Sequence, residues 1–274
     1  MNNENYSKNL GKKTEYSASY DSSLLDPIPR GLGRSKIKGF SSSGLVGKDI
    51  WTAYELSWLN EKGKPVVRIA DFFIPFDSKN LIESKSLKLY LNSFNNTKFC
   101  SDEEVRDTIL RDLSESSVSN VEVVMRTVDQ SEIVKVDEEY KNIDDIDIEV
   151  DGFEYDPDFL KQSISGEIVS EALSSHLLKS NCLVTNQPDW ASLFIRYRGP
   201  KIDHEHLLRY VVSFRDHNEF HEQCVERIYT DIKRCCQPEQ LTVFARYTRR
   251  GGLDINPYRS DCEPVNIGSR NPRQ

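Results

Sequence analysis

Apolar and polar positions alternate along residues 50–58, IWTAYELSW, and again along 66–74, VVRIADFFI. A period of two marks half-buried strands. The polar NEKGK between them (60–64) supplies a turn, so the pair predicts a β-hairpin with a five-residue loop. The period then lengthens. Leu87, Tyr90, Leu91 and Phe94 recur at i, i+3, i+4 and i+7, one apolar face of a helix. Ser101 can cap a second helix, DEEVRDTILRDL, with Glu104 at the capping-box position. VEVVMRTV (121–128) and EIVKV (132–136) read as two further strands.

The pattern repeats. At a fixed offset of 120, Leu87, Tyr90, Ser93, Phe94, Val105, Val123 and Arg126 match Leu207, Tyr210, Ser213, Phe214, Val225, Val243 and Arg246. Those seven identities in forty gapless positions exceed the roughly two or three that average composition gives. ASLFIRYR (191–198) alternates like a strand, and LTVFARYT (241–248) mirrors 121–128. Each half reads strand–strand–helix–helix–strand–strand, an α+β module with helices on one face of an antiparallel sheet. Residues 1–35, rich in Asn, Ser and Lys, read as an irregular arm. From Asp137 to Asp158 stand eleven acids and one lysine. This stretch reads as a solvated linker, and it lacks the glycine and glutamate spacing of a calcium loop. The division is therefore 1–136 for one module with its arm, 137–158 for the linker and 159–274 for the second module.

The 274 residues are 37% apolar and 10% aromatic, enough for substantial cores. A net charge of −8 disfavours a nucleic-acid partner and favours a small-molecule substrate. Six cysteines without a CxxC pair indicate a reduced protein. With no secretory signal and no apolar run of spanning length, the expectation is a cytosolic chain that binds no membrane.

Candidate chemistry concentrates in SNCLVTNQPDW (180–190), which places Cys182 seven positions before Asp189. A thiol at a strand end can attack an electrophilic carbon, and a nearby carboxyl can protonate the atom that becomes negative. A buried inert cysteine and a turn aspartate are the plainer alternatives. Glu83 and Lys85 lie off the apolar stripe, as on a solvated helix face. A carboxylate there can also accept two parallel N–H donors, and a lysine can pair with a phosphate. His221-Glu222 opens a helix, where an acid is favoured by the dipole. His204, His206, His217 and His221 with Cys224 raise a zinc reading, without finger spacing to support it. Arg249-Arg250-Gly251-Gly252 reads as a tight turn or as an anion site.

The long motifs LGKKTEY with DPIPRGLGR, ESKSLKLYLNSFN, SNCLVTNQPDW, SFRDHNEFHE and RYTRRGGLDINPYRS run nearly end to end. In them the chain resembles the NADPH-dependent 7-cyano-7-deazaguanine reductases, nitrile reductases of queuosine biosynthesis, in their long two-module form. The resemblance implies two tandem tunnelling-fold modules whose sheets close into barrels in a homodimer, with fewer catalytic sites than modules. It implies Cys182 as the nucleophile of a covalent thioimide and Asp189 as the proton donor. Ile82, Glu83 and Ser84 would line the deazapurine site, with His221 and Glu222 on its other side. Ser84, Lys85, Arg250 and Gly251 would contact NADPH, the co-substrate, and no metal would be needed. Two rival readings remain: a zinc hydrolase similar to GTP cyclohydrolase I, with Cys182 and histidines as ligands, and a silent module holding a purine-like ligand.

Overall fold

The two alternating runs form the hairpin their pattern predicts, and the five-residue loop between them turns at Gly63 with φ 81°. In the computed structural model, residues 17, 19–130, 139–162, 164–183, 185–262, 270 and 273–274 are described. Their elements run β1 (Pro27–Pro29), α1 (Arg30–Arg34), β2 (Val46–Leu59), β3 (Pro65–Pro75), β4 (Asn80–Ile82), α2 (Ser84–Ser93), α3 (Asp102–Ser117) and β5 (Glu122–Arg126). There follow β6 (Lys141–Asn142), β7 (Ile164–Asn181), β8 (Pro188–Ile202), α4 (His204–Ser213), α5 (His221–Cys236), β9 (Gln240–Tyr247) and β10 (Leu253–Ser260). The strand expected at 132–136 lies outside the described residues.

The chain divides into two compact units that exchange segments. One comprises residues 1–33, 49–132 and 249–255, the other 34–48, 133–248 and 256–274. The sequence division at 1–136, 137–158 and 159–274 treats each module as continuous, whereas these units are not. The first unit orders its strands β5–β3–β2, with β3 and β5 antiparallel from Ile69↔Arg126 to Phe73↔Glu122. The second orders them β10–β9–β8–β7–β6. Strand β10 starts in the first unit at Leu253 and ends in the second at Ser260.

Helices α2 and α3 pack Leu87, Tyr90, Phe94, Val105, Ile109 and Leu113 against Trp51, Leu56 and Phe72 of the first sheet. Helices α4 and α5 pack Leu207, Tyr210, Phe214, Val225 and Ile228 against Leu193, Ile195 and Val243 of the second. Both units are thus α+β, as the repeat predicts. Ser101 caps α3 by accepting from Glu104 N at 3.2 Å, while Glu104 Oε2 accepts from Cys100 N at 2.7 Å.

A buried aspartate pins each helix pair. Asp112 on α3 accepts from Tyr90 Oη (2.7 Å) and Tyr20 Oη (2.6 Å). Asp231 on α5 accepts from Tyr210 Oη (2.8 Å) and from Tyr155 Oη. Burial, followed by the Asp112 carboxylate, pushes the Tyr90 phenol far above its ordinary range, so it stays a donor. Tyr155 is the structural counterpart of Tyr20, and the next residue of each pair repeats the match. Asp21 N donates to Ser93 Oγ (3.2 Å) and Asp156 N to Ser213 Oγ (3.3 Å).

The end of the acidic segment is therefore an entry arm to the second module, equivalent to residues 20–21 of the first. Ile143 is buried in the second core, and Ile146, Ile148, Tyr155 and Phe159 pack against it. Among the described residues 139–158, the segment is not a tether solvated along its length. Ile143, Ile146, Ile148 and Tyr155 dock, while Phe153 and most of the acids face outward. Part of the N-terminal arm is likewise ordered: β1 pairs antiparallel with β4, Pro27 opposite Ile82.

The second unit also holds a charged cluster. Glu226 accepts from Arg259 at 2.7 and 3.1 Å and from Arg34 at 2.7 and 3.0 Å, and both Glu226 and Arg259 are buried. Removing one partner of a buried ion pair strands the other charge. Glu226→Ala is expected to lose about 3–5 kcal/mol of stability, read from the urea midpoint.

Candidate active site

Strand β7 ends at Asn181, so Cys182 stands at a strand end, as its flanking sequence predicts. Cys182 N donates to Gln187 O (2.8 Å) and Asn186 N to Cys182 O (3.0 Å), which closes the tip of the β7–β8 hairpin. Asn186 takes a left-handed backbone with φ 56°, a conformation asparagine tolerates better than most residues. On β8, Pro188 lies opposite Asn181 and Asp189 opposite Ser180. Side chains alternate along strands, so Cys182, Ser180 and Asp189 share one face of the hairpin. Cys182 is 6% exposed and Asp189 5%.

Helix α5 brings its first residue to the same place. His221 Nε2 lies 3.6 Å from Asp189 Oδ1, and the His221 ring meets the Tyr247 ring edge-on at 4.1 Å. Phe220, at the N-cap, gives α5 no side-chain cap, and Glu222 sits buried in its first turn, where the helix dipole favours an acid. Behind this group stand Tyr247, Ser180 and Cys224. The Tyr247 and Ser180 hydroxyls are buried, and Tyr247 lies against Cys224 and Ser180. Burial, then the charge of Glu219, push the Cys224 thiol up to about 12. Cys224 therefore stays protonated and does not compete as a nucleophile.

The first unit assembles a second cluster. Glu83 is not on a solvated helix face. It is buried at the N-cap of α2, accepting from Lys85 N (2.9 Å) and Ser86 N (2.8 Å), with Ser84 Oγ at 3.3 Å. Burial raises its carboxyl above the usual range, opposed by those backbone donors. Oε1 accepts from both Lys85 N and Ser84 Oγ, whereas Oε2 accepts from Ser86 N and keeps a further lone pair for a ligand. Ile82 is buried at the end of β4, directly before it.

Arg250 and Leu253 close a tight turn, with Arg250 N to Leu253 O at 2.8 Å. Gly251 and Gly252 both have positive φ, 60° and 78°. A Cβ at Gly252 would overlap the carboxyl of Glu55, and one at Gly251 would lie 3.0 Å from Lys88 Nζ. Bare backbone beside Lys88, with Lys85 one helical turn earlier, fits an anionic group such as the phosphates of a nucleotide. Lys88 did not stand out in the sequence reading, though it is spaced i+3 from Lys85 in ESKSLK.

Cys182, Asp189, His221 and Glu222 thus belong to one unit, and Ile82, Glu83, Ser84, Lys85, Arg250 and Gly251 to the other. The structure brings Asp189 against His221, and Glu83 against Ser84 and Lys85. The four histidines behind the zinc reading do not converge. His204 faces Glu171, His206 faces Asp203, His217 faces Glu219 and His221 faces Asp189. Among the described residues, no group of three or more His, Cys, Asp or Glu side chains is placed to hold a metal ion. No helix among them is long and apolar enough to cross a membrane.

Residues 16–125 match the family described as "Nitrile reductase, 7-cyano-7-deazaguanine-reductase N-term". Residues 188–266 match the family described as "QueF-like protein". The crystal structure of the archaeosine synthase QueF-Like in the apo form is 19% identical and covers 36% of this chain and 99% of its own. Its TM-score is 0.31. With one family match on each module, the chain belongs to the 7-cyano-7-deazaguanine reductases, the nitrile reductases, in their two-module form.

Proposed function

We propose that this protein reduces the nitrile of 7-cyano-7-deazaguanine to the aminomethyl group at the expense of two NADPH, through a thioimide on Cys182. The observation that carries the reading is the common face of the β7–β8 hairpin. There Cys182 directly follows the end of β7, and Asp189 lies opposite Ser180 with His221 3.6 Å away.

A nitrile carbon is a weak electrophile, and attack on it places charge on nitrogen. The Cys182 sulfur forms a bond to carbon as one C–N π bond breaks. Asp189 delivers a proton to the nitrogen, and the thiol proton returns to the Asp189–His221 pair. Protons balance within the site, and the thioimide carbon is a far better hydride acceptor than the nitrile. NADPH, held by Ser84, Lys85, Lys88, Arg250 and the bare backbone of Gly251, would supply the hydride. Converting nitrile to amine takes two hydrides and two further protons, after which Cys182 is free again.

Glu83 in one unit and Glu222 in the other would each serve as an acceptor for N–H groups of the deazapurine. Both are buried, so a polar ligand edge there must be matched donor to acceptor. Ile82 supplies an apolar wall. The reading makes the protein a cytoplasmic enzyme of queuosine biosynthesis that acts on the free base, without direct contact to RNA. It works as a homodimer in which tunnelling-fold sheets close into barrels.

With the nitrile base and no NADPH, the protein should gain the mass of one base, and Cys182→Ala should gain none. A modified Cys182→Ala would overturn the covalent route. Full reduction should consume two NADPH per nitrile. Asp189→Asn should lower turnover by about 10²–10⁴-fold with little change in the dissociation constant of the base. Undiminished turnover would remove Asp189 as the acid. Lys88→Ala should raise KM for NADPH by about tenfold or more, the worth of one charge-assisted hydrogen bond, with kcat little changed. An unaltered KM would take Lys88 out of the phosphate site.

A further inference from the structure

We infer that Asn218, in the connection between α4 and α5, is a positioning residue that holds the Cys182 thiol in line with Asp189. The inference rests on the reading of Cys182 as the nucleophile. Asn218 Nδ2 donates to Cys182 O (3.2 Å) and to Asn186 Oδ1 (2.9 Å). One side-chain amide therefore grips the backbone of the nucleophile and the left-handed residue that returns the chain toward β8. A carbonyl oxygen offers no proton, so the Asn218 amide must present its NH2 group there.

Asn218 is itself anchored. Its segment bridges the end of β7, with Asn181 N to His217 O at 2.8 Å and Glu219 N to Asn181 O at 3.0 Å. The buried Glu219 carboxylate is forked by Arg227 at 2.6 and 2.8 Å and met by His217 Nε2 at 3.2 Å. Burial would raise that carboxyl, yet the Arg227 and His217 bonds outweigh it and hold it below its usual range. Two residues further on, α5 begins with His221, against Asp189. The same short segment thus ties the hairpin tip, which carries the sulfur, to the helix end that carries the histidine. A bond to an oxygen of Cys182 itself sets where the thiol stands. Misplacement of a reacting group by about 1 Å can cost on the order of 10²-fold in rate.

The test uses Asn218→Asp and Asn218→Ser in the full chain. Aspartate keeps the shape and sets oxygen against the Cys182 carbonyl, while serine is too short to span both partners. Three quantities are read: the thermal midpoint, the rate at which the nitrile base adds to Cys182 without NADPH, and the rate of iodoacetamide alkylation at Cys182, located by peptide mass mapping. Mapping is needed because Cys100 and Cys262 are exposed. The expected result is nitrile addition slowed by about tenfold or more. Alkylation should be faster, because the thiol leaves its buried seat, and the midpoint should stay within a few degrees.

Addition and alkylation both within twofold of the unaltered protein would overturn the inference. So would slowing that appears only together with loss of cooperative unfolding. If the unaltered protein forms no nitrile adduct, the covalent reading fails by itself. Alkylation alone then decides Asn218, an unchanged rate counting against it.

Discussion

The antiparallel register of β7 against β8 is the constraint on which the site depends. Asp189 opposes Ser180 and Pro188 opposes Asn181, so the hairpin turns within Cys182–Gln187 and leaves sulfur and carboxyl on one face. A slip by one residue would move the carboxyl to the opposite face. The register is held along a long ladder, from Val169↔Gly199 to Asn181↔Pro188 with one irregularity between Ser175 and Leu178, and by β9 on the other side of β8. Many ordinary backbone bonds far along the hairpin therefore set the position of Cys182 and Asp189.

The same scaffold appears in both halves, and its chemistry in one. The helix-pinning aspartates Asp112 and Asp231, each gripped by two tyrosines, perform the same structural task in each module. So do Glu83 and Asp203, which cap α2 and α4 at the repeat offset. At that offset Cys182 corresponds to Lys62 in the exposed first hairpin loop, and Asp189 to the buried Ile69. His221 corresponds to Ser101, the cap of α3. Where the first module uses this position for capping, the second leaves α5 without a side-chain cap and sets His221 against Asp189. The duplicated fold has kept its packing residues and divided the rest, one unit presenting the thiol of Cys182 and the carboxyl of Asp189, the other cations and glycines.

Much of this was legible in the chain. The two hairpin strands, the stripe Leu87–Tyr90–Leu91–Phe94, the Ser101 cap and the repeat at 120 all depend on neighbours a few residues apart, where period and capping rules act. The acidic segment was misread because its charge hid a second, weaker pattern. Ile143, Tyr155 and Phe159 are spaced too irregularly for any period, and their partners lie on β7, α4 and α5. Tyr20 and Tyr155 escaped the repeat because their offset is 135 rather than 120. Lys88 and Asn218 were overlooked for a related reason, since each matters through a turn far away in sequence.

What the sequence alone determined is therefore local: which segments are strands and helices, that the module occurs twice, and which long motifs mark a nitrile reductase. The tertiary structure decided which of those residues meet. Segments 34–48 and 249–255 cross between units, Glu83 spends two hydrogen bonds on its own helix, and Asn218 reaches back to the carbonyl of Cys182. The physical reason is that periodicity and capping are properties of one element, whereas register and side-chain pairing between distant segments exist only once the chain has folded back on itself.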